Sequence, residues 1–155
     1  MKIIYVSVDC GVNGGIAHQI DNGVAGAVKM PRETKPLKDH IDSLSKMALR
    51  KIAVVEQVGA WVGDDPKKKM GIQKLRDNYT TIKIRLIDAG FEVIDVSPRK
   101  WMGDLYLERR GESKKDRKNR LKMFAASMFP HLKVTLNTAD ALCLLVWMKN
   151  GSNEV

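Results

Sequence analysis

The chain is expected to be an α/β protein, with a five-stranded mixed sheet flanked by helices, and three observations point there. Residues 3–9 alternate, with Ile4, Val6 and Val8 on one face and Tyr5, Ser7 and Asp9 on the other. Two hairpin signals follow, GVNGG at 11–15 and Asp21-Asn22-Gly23, so the first three strands form an antiparallel meander. Beyond that point helical and strand periods take turns, the pattern of a sheet with helices on its faces.

The elements follow in order. GIAHQI and VAGAVKM supply the second and third strands. Leu37, Ile41, Leu44 and Ala48 recur at helical spacing and predict an amphipathic helix over about 36–49. KIAVVE is short and mostly apolar, the composition of a strand buried on both faces. Residues 58–69 (VGAWVGDDPKKK) carry Gly, Asp and Pro without a period and are expected as a loop. A long helix over about 70–89 is predicted by Ile72, Leu75, Tyr79, Ile82 and Leu86, with Gly90 at its end. FEVIDV gives the fifth strand, and SPRKWM a short helix or turn. Ser113 and Asp116 resemble a capping box for a helix carrying Leu121, Phe124, Ala125 and Met128, stopped by Pro130. A final helix is expected from about 138 to 148, capped by Asn137. A helix crossover between the first and fourth strands makes them parallel neighbours.

With 155 residues the chain fits one domain, 1–155, with 150–155 as a tail. No apolar run approaches the roughly 18 residues of a bilayer span, so a membrane partner is not expected. MKIIYVSVDC lacks a signal-peptide cleavage pattern and reads as the first strand. The two cysteines, Cys10 and Cys143, lie in apolar surroundings and are read as buried thiols in a reducing compartment. Three scattered histidines (His18, His40, His131) and no Cys/His cluster argue against zinc. The net charge is +9, and residues 99–122, opening with Arg99, hold ten Lys or Arg against four acids. A second basic run, Lys67, Lys68 and Lys69, follows the KIAVVE segment. Either run alone could be a solvated face; together, flanking a set of acids, they favour a polyanion.

Those acids are Asp9 at the end of the first strand, Glu56 at the end of KIAVVE, and Asp140 at the start of the last helix. A buried carboxylate without a partner is costly, and no Lys or Arg lies beside these in sequence. Clustered acids in a basic chain suit oxygen-ligated Mg²⁺ or Mn²⁺ and phosphodiester hydrolysis, in which two ions neutralise the attacking and leaving oxygens. Each acid also has a plainer reading: Asp9 as a turn residue, Glu56 as partner of a distant lysine, Asp140 as an acid favoured in a helix's first turn. Trp61, in a Gly-bracketed loop, either stacks on an unpaired base or folds back onto the core. Trp101 and Trp147 lie on apolar-rich segments and are read as core.

VDCGVNGGIA, VVEQVGAW, VIDVSPRKWM, KKDRKNRLKMFAASMFP and TADALCLLVW, in that order, resemble the RuvC-type Holliday-junction resolvases, closest to a short bacteriophage branch. The resemblance covers roughly residues 3–148. It implies an RNase H-like fold, a homodimer, and paired nicking of four-way and other branched DNA that depends on Mg²⁺, with Mn²⁺ as an alternative and two ions per site. The cytoplasm, that of a bacterial host for a phage protein, is the implied location. Asp9, Glu56 and Asp140 match the family's metal-binding acids; Trp61 falls where relatives carry a junction-probing aromatic; Lys114, Lys115, Arg117 and Lys118 fall in a phosphate-contacting segment. Asn137 stands where cellular members have an acid, and offers a carbonyl oxygen without a charge, which weakens the hold on one metal. Two other readings stay open: a junction-binding protein that does not cut, and a nuclease of broader taste for flaps and forks. The stripe on the 70–89 helix is the candidate dimer seam, unless it packs on the sheet.

Overall fold

The computed structural model describes residues 1–58 and 65–152. Five strands, β1 (Ile3–Asp9), β2 (Gly15–Ile20), β3 (Gly26–Lys29), β4 (Arg50–Glu56) and β5 (Glu92–Val96), form one sheet in the order β3-β2-β1-β4-β5. The first three are an antiparallel meander, and β4 and β5 run parallel to β1. Parallel pairing follows from the crossover helix α1 (Thr34–Ser45) between β3 and β4, and from α2 (Pro66–Asp88) between β4 and β5. Three further helices, α3 (Pro98–Asp104), α4 (Lys114–Met128) and α5 (Ala139–Ser152), complete the chain. Among the described residues no helix is long and apolar enough to cross a membrane.

Strand alternation divides the core into two layers. Ile4, Val6, Val8, Ala53 and Val55 face α1 and α2, meeting Leu37, Ile41, Leu44, Ile82 and Leu86. Tyr5, Val54 and Val96 face the other way, onto Trp101 of α3, Leu121 and Ala125 of α4, and the buried run Ala141–Val146 of α5. Helix α5 is apolar all round because it is enclosed by the sheet on one side and α4 on the other. By the same alternation Asp9 lies on the Tyr5 side and Glu56 on the Val54 side, which is one and the same face.

Several boundaries differ from those expected, each for a local reason. Helix α2 begins at Pro66, four residues earlier than predicted, so Lys67, Lys68 and Lys69 are helical and not in a loop. Asp65 caps it by accepting from the Lys67 N–H at 2.9 Å, and Pro66 takes the first position, where its missing N–H costs nothing. At the other end Gly90, at φ +89°, closes a Schellman turn in which Phe91 N–H donates to Leu86 O. Helix α1 stops at Ser45 and leaves Ala48 outside it, packed against the core. The stripe proposed as a dimer seam is engaged within the chain: Ile82 and Leu86 are buried against the sheet, with Leu75 and Tyr79 partly so. Helix α5 starts at Ala139, and Asn137 does not cap it as expected; its amide donates instead to Asn13 O at 2.8 Å. The capping of α4 is as predicted, with Ser113 Oγ accepting from Asp116 N–H, while Met128 is half exposed. Cys10 and Cys143 are both buried free thiols.

Candidate active site

The β1–β4 ladder pairs Val8 with Val55. Asp9 and Glu56 are the next residues along, so two adjacent parallel strands deliver their terminal carboxylates to one place. The third acid comes from α5. Ser7, two residues before Asp9 on the same face, donates its buried hydroxyl to Ala141 O at 2.6 Å. That bond ties the first turn of α5 to the sheet and holds the neighbouring Asp140 over the strand ends.

The GVNGG turn completes the arrangement through closeness of approach. A Cβ on Gly14 would stand 2.2 Å from the Asp9 carbonyl oxygen and 2.9 Å from its carboxyl carbon. A Cβ on Gly15 would stand 2.7 Å from Asn137 O. Both positions must therefore be glycine if the turn is to lie between Asp9 and the entry to α5. Gly11 N–H approaches Asp9 Oδ1 at 3.4 Å.

The acids open into a cleft of about 900 Å³ lined by Asp9, Glu56, Asn137 and Asp140 and by the cations Lys74, Lys114, Arg117 and Lys118. Its floor is negative and its rim positive. Burial, with Asp140 close by, raises the Asp9 pKa to about 6, against the opposing pull of Lys118 and the Gly11 N–H. Burial and then Asp9 raise Glu56 to about 8, although the Trp101 indole donates to its Oε2 at 2.6 Å. Asp140 has a cationic partner after all: Lys118, 22 residues earlier, places Nζ 3.0 Å from Asp140 Oδ2. Burial works against the charge on Lys118, but Asp140, with Asp9 and Glu56 behind it, outweighs burial and holds its pKa above the ordinary lysine value. Asp140 Oδ1 is buried and finds no hydrogen-bond donor among the described residues.

Three carboxylates sharing a cleft, one with an unsatisfied buried oxygen, are the donor set a hard divalent cation requires. They are not drawn into a closed ligand cluster, since no group of three or more acidic, histidine or cysteine side chains among the described residues is close enough to hold an ion as it stands. The donor chemistry fits a hard divalent cation.

The other expected residues divide. Lys114, Arg117 and Lys118 reach the cleft, whereas Lys115 and Arg99 are exposed and do not line it. Lys67, Lys68 and Lys69 are exposed on the first turns of α2, also outside the lining. Trp61 lies outside the described residues. Two residues escape the sequence reading. Lys74 lines the cleft because Gly71, Lys74 and Asn78 fall on one face of α2, a face that the apolar stripe of the helix does not mark. Trp101 is fully buried, as expected of core, and its indole N–H needs an acceptor, which is Glu56.

No protein-family model matches the chain, and no curated protein matches it in sequence. Solved structures do match. Thermus thermophilus RuvC superposes with a TM-score of 0.60 at 12% identity, covering 99% of this chain and 96% of that one. The T. thermophilus RuvC in complex with a Holliday junction substrate gives 0.63 at 12% identity, covering 98% and 96%. The likeness is one of architecture: over nearly its whole length, this chain has the RuvC-type, RNase H-like fold.

Proposed function

We propose that the protein is a metal-dependent endonuclease that resolves four-way and related branched DNA. The observation that carries this reading is the convergence of Asp9, Glu56 and Asp140, from two strand ends and a helix start, on the floor of a cation-rimmed cleft. The similar Thermus protein is described in complex with a Holliday junction substrate, and here Lys74, Lys114 and Arg117 offer a phosphate backbone the charge it needs. A Mg²⁺ or Mn²⁺ ion held by the three acids would supply charge neutralisation at the scissile phosphate and a nucleophilic water at neutral pH. Trp101 fixes one oxygen of Glu56 where that side chain lines the cleft, while Gly14 and Ser7 hold Asp9 and Asp140 in place. The chain acts as a single domain and pairs as a homodimer, whose two-fold axis would match that of the junction.

The test is cleavage of an end-labelled immobile junction beside a linear duplex of the same sequence, with Mg²⁺, Mn²⁺ or EDTA. Symmetric, metal-dependent nicks in the junction alone are expected; equal cleavage of the duplex would replace junction resolution with a broader nuclease activity. Light scattering should give the mass of a dimer, and a monomer bound to the junction would remove the symmetry argument. A second reading, binding without cleavage, draws on Asn137, whose amide is engaged with Asn13, and on the Lys118–Asp140 ion pair. In that case the chain binds the junction uncut, and Asn137→Asp restores nicking.

A further inference from the structure

One cation of this site is built into the chain. The Lys118–Asp140 pair is no surface contact, since the two side chains are only 29% and 13% exposed. Its lysine also feels Asp9 and Glu56, so one ammonium answers all three acids. Helix α4 holds it there: Ser113 caps the helix at one end, and Leu121, one turn beyond Lys118, is buried against α5.

We infer that the site takes a single divalent cation and that Lys118 occupies the second cationic position, the one a two-ion nuclease fills with metal. The inference rests on the metal-dependent reading above for the kind of ion, and on this chain's own residues for the number.

Charge is the first argument. Ionised as the ligands of a cation are, three carboxylates beside one ammonium leave two negative charges, which one divalent ion neutralises; a second ion beside Lys118 would leave the buried site positive. The ligand set is the second. Asn137, the remaining side chain at the entry to α5, is neutral, and its amide N–H is spent on Asn13 O, so it adds nothing to balance another ion. The third is the division of labour at Asp140. Oδ2 is taken by Lys118, while buried Oδ1 has no donor among the described residues. A carboxylate with one oxygen on an ammonium and one open is arranged to stand between an internal cation and an external one.

The experiment counts ions on the full chain without DNA, by titration calorimetry with MnCl₂ and by the paramagnetic resonance spectrum of bound Mn²⁺. One ion per chain with an isolated-ion spectrum is expected for the natural protein. Lys118→Met, which keeps the aliphatic stem, should bind two with the spectrum of a coupled pair, and Lys118→Arg should keep one. The Lys118→Met count separates an occupied second position from one that forms only on DNA. A folded Lys118→Met protein that still binds one ion overturns the inference. Two ions or none on the natural protein overturn it whatever the variants do. Junction cleavage by the same preparations separates this result from the proposed function. One ion without nicking removes the resolvase reading alone, and two ions with nicking remove this inference alone.

Discussion

On the side of the sheet covered by α1 and α2, the inward residues of β1 are Ile4, Val6 and Val8; on the side covered by α5 they are Tyr5, Ser7 and Asp9. The two layers share one backbone and differ only in which alternate residues they receive. The first layer is wholly apolar at these positions, and its burial opposes nothing. The second buries a hydroxyl and carries carboxylates at its edge, and the raised values at Asp9 and Glu56 measure what that costs. Both layers bury an apolar core, and the clustered carboxylates are confined to the edge of the second.

Substitutions can break this division. The largest effect on activity is expected from Asp9→Asn or Glu56→Gln, which should reduce junction nicking to background while junction binding persists; cleavage surviving either change would take that residue out of the chemistry. On the opposite face, Leu86→Ala removes a side chain with no exposed surface and should cost about 2–5 kcal/mol. Thermal melting should then drop by roughly 10 °C, with nicking unchanged at temperatures where the protein is folded. An equal loss of nicking there would mean that the two faces are coupled.

The pH dependence sharpens the contrast. Both acids have folded values above the ordinary ones, so the stability they contribute is whole below the usual carboxylate range and is lost as pH rises through about 6 for Asp9 and about 8 for Glu56. In EDTA the melting temperature should fall between about pH 5 and about pH 9, and Glu56→Gln should flatten the upper part of that fall. A melting temperature that rose over this range in EDTA would show that the acids are not buried as described. The smallest effect is expected from Ser7→Ala, which loses the bond to Ala141 O and should cost about 1 kcal/mol in melting experiments. If it also slows nicking, the bond positions Asp140 as well as supporting the fold.

What could be read in the sequence was local. Alternation along 3–9 and the two turn signals are contained within a few residues, and so they gave the meander, its faces and the placing of Asp9. The parallel partnership of β1 and β4 followed from a helix too long to be a hairpin, and it brought Glu56 alongside. What escaped lies across distance. Lys118 and Asp140 are 22 residues apart, and Trp101 and Glu56 are 45 apart, separations at which no periodicity speaks. The start of α2 was missed for another reason: three consecutive lysines carry no apolar period, and the Asp65-Pro66 cap that begins the helix was read as loop composition. Asn137 was assigned to capping by residue type, and its contact with Asn13, 124 residues away, took it elsewhere.

The enclosure of α5 bears on the choice of the proposed substrate. Its residues from Ala141 to Leu145 are no more than 0% exposed, and its first turn is bonded to β1, so Asp140 cannot travel without opening the core. The backbones of Asp9 and Glu56 are held too, by pairing with Gly15 of β2 and Val96 of β5. Under the proposed function, acids on a backbone set this rigidly cannot reach toward a misplaced phosphate. The bending would then fall to the nucleic acid, and a branch point, where stacking is already interrupted, is the DNA that bends at least expense. Selectivity for such structures would then arise from the stiffness of the protein, with no need to read a base.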